Sequence, residues 1–282
     1  MTYARPDALV STDWLQTHLD APDVRVVDAT WFLPGVERDA RAEYAAGHIE
    51  GAVFFDLDAV CEPKNLHPHT VPSAAKFSSR VRKLGLGDGN RIVIYDGNRF
   101  FASARVWWMF RFMGHDDVMV LDGGVEKWRA EGRPLTDLPT RPRERHFTVR
   151  QNSLLLRELD QMRANVSARR EQVVDARSPG RFHAREPEPR AGLRSGHIPG
   201  AVNLHYAQLV ASDGTLKPTA ELRGLLDAAG VDPTRPVVTS CGSGVSAALI
   251  NLALFELGAR TTALYDGSWA EWGGQADTPI AT

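Results

Sequence analysis

Of all the side chains in this 282-residue sequence, Cys241 is the one best placed to act as a nucleophile. It follows the apolar run PVVTS and opens the stretch CGSGVSA, after which ALINLALFELG carries the pattern of a helix. A strand that stops at a cysteine and turns straight into a helix directs unpaired backbone N–H groups and the positive helix end at the sulfur. Together these stabilise a thiolate. Gly242 and Gly244 give the backbone the freedom that such a tight turn requires. A buried cysteine ahead of a helix is more often plain packing, and the two glycines are what favour chemistry here. A ring of amides can hold a diffuse sulfur anion by itself, so the reading needs no metal and no cofactor.

A second group of side chains could grip an anionic substrate. The segment GRFHAREPEPRAGLRSGHIPG carries Arg181, Arg185, Arg190 and Arg194, and a guanidinium binds a carboxylate through two parallel hydrogen bonds. Taken alone, an Arg-rich loop is usually only solvated. Position 247, six residues after the nucleophile, is Ala where a cysteine phosphatase needs Arg to clamp phosphate, and this disfavours that chemistry.

The scaffold that must position these residues is duplicated. VRVVDAT returns as EQVVDAR, AAGHIEGAVFFDL as RSGHIPGAVNLHY, IVIYDGN as VVTSCGS, and LDGGVEKW as LYDGSWAEW, in the same order and at nearly constant spacing. Within each half, β-branched runs such as VRVVDA and RIVIYD alternate with amphipathic stretches such as SAAKFSSRVRKLG. That alternation predicts an α/β chain of two homologous domains, each a parallel sheet with helices on both faces. The expected boundaries are a first domain over 1–137, a linker over 138–152 containing the Pro- and Arg-rich LPTRPRERHF, and a second domain over 153–282. Ligand sites in such sheets lie at the carboxyl ends of strands, which is where Cys241 falls. The first half has Asp96 at the cysteine position, so it is expected to shape the site without carrying the chemistry.

Composition narrows the setting. A formal net charge of −2 without a basic block gives no electrostatic reason to expect nucleic acid. The N-terminus lacks the pattern of a signal peptide, and no apolar run reaches the length of about 18 residues that spans a membrane. A cytoplasmic enzyme is expected. Cys61 and Cys241 lie far apart, which argues against a disulfide framework and for free thiols.

The duplication, GHIPGAVN, the paired DGGVEKW and DGSWAEW segments and the CGSGVSA loop resemble the tandem-domain rhodanese superfamily, and within it the 3-mercaptopyruvate sulfurtransferases, whose loop reads CG(S/T)GVTA. Ser246 replaces the usual Thr and keeps its hydroxyl. The resemblance covers essentially the whole chain. It implies that Cys241 takes sulfane sulfur from a donor, becomes a persulfide and passes the sulfur to a thiol or cyanide, with Gly242, Gly244, Val245 and Ser246 surrounding the donor. GRF and PEPR match the substrate loop of these enzymes and carry its role to Arg181 and Arg190, leaving Arg185 and Arg194 unassigned.

Asp58 and His69 match the family's acid and its His before Pro. With Ser243 they would form a relay that moves the donor's proton. His67 competes with His69, and the HTVP context favours His69. Thiosulfate-preferring members usually carry basic residues directly after the cysteine, whereas Gly242 and Ser243 are neutral, so 3-mercaptopyruvate is the expected donor and thiosulfate the alternative. A persulfide carrier serving a sulfur-assembly partner is a third reading. The implied acceptors are thioredoxin, a small thiol, cyanide or a sulfur-acceptor protein. Cys61 reads as packing, as do Trp107, Trp108, Trp128, Trp269 and Trp272. His48 and His197 recur at one repeat position and are expected to maintain the fold.

Overall fold

The structure is a computed structural model and describes residues 8–33, 35–62 and 67–282. Each half forms a five-stranded parallel sheet. In the first, β1 (Leu9–Val10), β2 (Val24–Asp28), β3 (Val53–Phe54), β4 (Arg91–Tyr95) and β5 (Val118–Leu121) lie in the order β1-β5-β4-β2-β3. The second repeats this with β6 (Leu156–Arg157), β7 (Gln172–Asp175), β8 (Val202–Asn203), β9 (Val237–Ser240) and β10 (Thr262–Tyr265), in the order β6-β10-β9-β7-β8. Strands β4 and β9 are central, and β9 pairs Val238 with Val173 on one side and Ala263 on the other. Every residue of β9 is buried, as expected for a parallel strand covered on both faces. Asp96 and Cys241 each follow the central strand of their sheet, where the connections leave in opposite directions.

Two helices decide how the halves meet. The helices Ser103–Phe112 and Ala247–Glu256 are buried along nearly their whole surfaces. The second, AALINLALFE, presents almost no polar face, and a helix that is apolar all round has to be enclosed. Trp107 packs edge-on against Phe255, with ring centroids 5.4 Å apart, and one core cluster runs without a break from the first half into the second. The remaining expected packing residues are also buried. Trp128, Trp269 and Trp272 donate their indole N–H groups to the carbonyls of Pro134, Arg194 and Pro279. His48 and His197 occupy matching antiparallel bridges, to Thr136 and Ala281.

The segment between the sheets is not a loose tether. Although mostly exposed, it folds back along the first half. Asp88 N donates to His146 O, Arg150 N donates to Met113 O, and Phe147, only 2% exposed, sits against Phe77 and Phe110. The one large apolar side chain in RERHFTVR acts as the anchor. A Cβ on Gly87 or Gly114 would collide with the carbonyls of His146 and Arg150, so these two glycines make room for the segment.

Candidate active site

The loop after β9 is held from below and open above. Cys241 N donates to Ser268 Oγ at 3.2 Å, while Cys241 O and Gly242 O accept from Trp269 N and Ala270 N, each at 2.9 Å. These contacts pin the loop to the segment after β10. The amides from Gly242 to Ala247, by contrast, donate to no group among the described residues. Gly244 has a φ of 77°, and a Cβ there would lie 3.0 Å from Asp266 O and 3.3 Å from Arg105 Nη1, so both conformation and space call for glycine. Cys241 itself is 2% exposed.

Asp58, His69 and Ser243, the residues expected to form a relay, meet across the boundary between the halves. His69 Nδ1 lies 3.2 Å from Ser243 Oγ, and His69 Nε2 lies 3.1 Å from Asp58 Oδ1. An ionised carboxylate only accepts, so Nε2 carries the hydrogen and Nδ1 is left to accept from the Ser243 hydroxyl. Asp58 is fixed in turn by Trp31, whose indole N–H donates to Oδ2 at 3.0 Å, and the Trp31 ring meets His69 edge-on at 4.7 Å. Ser243 and His69 are buried, whereas the Asp58 side chain is 55% exposed. Of the two candidate histidines His69 stands between Asp58 and Ser243, whereas His67 turns toward Glu271, 3.5 Å away.

Arg181 and Arg190 both reach the mouth of the loop. A Cβ on Gly242 would stand 3.1 Å from Arg181 Nη2 and 3.7 Å from Arg190 Nη1. Burial lowers the Arg190 pKa from its ordinary value, with Cys241 opposing that shift and Arg181 reinforcing it. Arg181 is aimed by Glu188, which accepts from Nη2 at 2.5 Å and from Nε at 3.3 Å. Glu188 is held on its other side by Arg177, at 2.7 Å. Arg185 is exposed, and Arg194 spends its guanidinium on the carbonyls of Trp272, Gly273, Gln275 and Thr278. Cys61 is buried in the core, and burial pushes its thiol up to about 12.

A rhodanese-like domain model matches residues 11–131 and again residues 157–275. The chain belongs to the rhodanese-like family. A 3-mercaptopyruvate sulfurtransferase from Homo sapiens is 38% identical over 94% of this chain and 91% of its own length. A thiosulfate sulfurtransferase from Bos taurus is 42% identical over the same shares. The crystal structure of SseA from Escherichia coli superposes with a TM-score of 0.86 at 36% identity, covering 95% of this chain and 99% of that one. Relatives of both donor types thus lie at similar distance, and the rhodanese-like fold alone does not choose between them.

Several residues of this rhodanese-like site escaped the sequence reading. Glu188, inside the PEPR segment, was passed over because a carboxylate in an anion-binding loop looks unhelpful until its two arginine partners are seen. Trp31 and Tyr206 carry no motif. Burial raises the Tyr206 pKa, with Cys241 adding to the shift and Arg181 opposing it, so this ring shares the field of the nucleophile. Among the described residues no group of His, Cys, Asp and Glu side chains could hold a metal ion, and no helix is long and apolar enough to cross a membrane.

Proposed function

We propose that this chain is a sulfurtransferase that moves sulfane sulfur from 3-mercaptopyruvate to a thiol or cyanide through a persulfide on Cys241. The observation that carries the reading is the chain of contacts from Asp58 through His69 to Ser243, two residues from the nucleophile. A donor that enters as a thiol has a proton to be moved, and this relay is built to move one. The Cys241 thiolate attacks the donor sulfur, and an S–S bond forms as the donor's C–S bond breaks. The electron pair leaves on carbon as the enolate of pyruvate. The thiol proton, passed through Ser243 and His69, is returned to that carbon, so pyruvate departs and the persulfide anion stays. The amides of Gly242 to Ala247 suit that diffuse anion, while Arg181 and Arg190 suit the donor's carboxylate.

An incoming thiolate or cyanide then takes the outer sulfur and restores the Cys241 thiolate. Thioredoxin, a small thiol, cyanide or a sulfur-acceptor protein would each serve, and a reducing cytoplasmic compartment suits a catalyst whose cysteines are both free. Thiosulfate is the second reading, favoured by the two cations beside Gly242. It is the weaker one, because thiosulfate brings no thiol proton for the relay and Gly242 and Ser243 add no charge. Steady-state kinetics with each donor and one common acceptor decide the matter. The expected result is higher kcat/KM for mercaptopyruvate, and a higher value for thiosulfate overturns the assignment.

A further inference from the structure

Arg105 joins three segments that the relay depends on. It lies in the first turn of the helix Ser103–Phe112, fully buried, with its guanidinium 4.7 Å from the centroid of the Trp108 ring. Its Nη2 donates both to the carbonyl of His69, at 2.7 Å, and to Asp266 Oδ1, at 2.6 Å. Asp266 Oδ2 accepts from Val71 N at 2.8 Å, so the Asp266 carboxylate and Arg105 grip the His69 segment at two points. Arg105 Nη1 lies beneath the nucleophile loop, 3.3 Å from where a Cβ on Gly244 would stand. Neither Nε nor Nη1 finds an acceptor among the described residues. A buried guanidinium left partly unsatisfied is a poor device for stability, which points to another reason for its position.

The backbone of His69 supplies that reason. Its φ is 63°, a left-handed conformation that is costly for a residue with a Cβ and persists only where its surroundings enforce it. The carbonyl that Arg105 holds belongs to this strained residue. The duplicated half provides an internal control. There Leu216 N donates to Asp122 Oδ1 as Val71 N does to Asp266, but Gly214, with φ 85°, stands in the place of His69, and Leu249, the third residue of its helix as Arg105 is of Ser103–Phe112, in the place of Arg105. Where no imidazole has to be aimed, the arginine is absent and glycine adopts the turn freely.

We propose that Arg105 is the positioning residue of the relay: it locks the strained His69 backbone against Asp266 across the domain boundary and so keeps the imidazole between Asp58 and Ser243. The proposal rests on the relay reading above, and a double-mutant cycle separates the two. With mercaptopyruvate as donor, H69A is measured first, and a large loss of kcat is expected. R105M is then expected to lower kcat about tenfold or more with KM changed less than about threefold, and to cost less than about threefold further in the H69A background. R105K, which keeps the charge but cannot serve both acceptors, should recover only part of the rate. Persulfide formation in a single turnover, followed by mass spectrometry, keeps slow variants measurable, and thermal unfolding identifies any that do not fold. If R105M is unfolded, R105K carries the same cycle. Equal losses in the two backgrounds, or no loss in the wild-type background, overturn the proposal while the relay stands. Full turnover in H69A overturns the relay, and the proposal with it.

Discussion

The loops after β4 and β9 occupy the same place in the two halves and do opposite things with the same amides. After β4, the Asp96 carboxylate turns back into its own loop. Its Oδ1 accepts from Asn98 N and Phe100 N, each at 3.1 Å, and its Oδ2 accepts from Ala102 N at 3.0 Å and Ser103 N at 2.8 Å. After β9, Cys241 replaces the carboxylate and the amides of Gly242 to Ala247 have no acceptor among the described residues. One loop is closed by a side chain of the chain itself, and the other leaves its donors without an acceptor among the described residues, as the proposed sulfur anion requires. The backbone differs accordingly, with Arg99 and Phe100 both at positive φ in the closed loop and Gly244 alone in the open one. The active site therefore looks less like an added feature than like a capped loop from which the cap has been removed.

The most direct way to break this comparison is to restore the cap. Cys241→Asp should fold, with a thermal midpoint at or above that of wild type, and should lose sulfur transfer by about a thousandfold or more. Mass spectrometry of the wild-type protein after donor treatment should place one sulfur on the peptide containing Cys241 and none on Cys61, whose thiol burial has pushed up to about 12. Residual turnover in Cys241→Asp, or sulfur found mainly on Cys61, would sink the reading.

The reverse change removes the cap from the first half. Asp96→Ala strands buried amides, each worth about 1–3 kcal/mol, and the expected loss of stability in denaturant unfolding is about 3 kcal/mol. A loss below about 1 kcal/mol would mean that the closed loop does not rely on its carboxylate.

A smaller effect is expected at the mouth of the open loop. Arg181→Ala and Arg190→Ala should each lower kcat/KM for mercaptopyruvate by about 1.5–3 kcal/mol, the range for a lost charged hydrogen bond. Arg185→Ala is the control and should stay near wild type. Damage from Arg185→Ala equal to that from Arg190→Ala would show that the donor is gripped elsewhere.

The smallest effect concerns the two interface carboxylates, Asp122 and Asp266. Asp266 pairs with the Arg105 guanidinium at 2.6 Å, whereas Asp122 accepts from the Leu216 amide at 2.8 Å. Burial pushes the Asp122 carboxyl up to about 6, against the downward pull of that amide, with Asp213 adding to the shift and Lys127 opposing it. A folded state that binds this proton more tightly than the unfolded chain is favoured at low pH. That contribution is lost as pH rises from about 4, the ordinary carboxylate value, through the raised folded value. Asp122→Asn keeps an oxygen for Leu216 N, so it should flatten the fall in stability across this window and gain on the order of 1–2 kcal/mol at pH 7. An unchanged slope would mean that Asp122 titrates normally.

Much of this was legible before any coordinates. The duplication, the alternation of apolar strands with amphipathic stretches, and the mostly apolar ALINLALFELG were enough for two parallel sheets and a helix behind the nucleophile. Asp96 at the position of Cys241 already set the two central-strand loops apart. The segment 138–152 reads as an exposed linker and is mostly exposed, but its docking on the first half is not legible, because a single Phe147 in a charged stretch gives no periodic signal, yet one large ring is enough to anchor it. Glu188 and Arg105 carry no signal in the sequence for a related reason, since each meets partners that no local pattern connects to it.

The sequence by itself determined the elements and the residue types at the end of each central strand, because strand and helix patterns and turn chemistry are local and are written within a few residues. The tertiary structure alone decided that His69 faces Ser243, that Arg105 reaches Asp266, and that Arg181 and Arg190 converge beside Gly242. These contacts arise only when the helices Ser103–Phe112 and Ala247–Glu256 bury their apolar surfaces against one another. Burial of that kind is non-directional and sums over many side chains, so it fixes the relation between the halves without leaving a motif at the residues whose meeting it brings about.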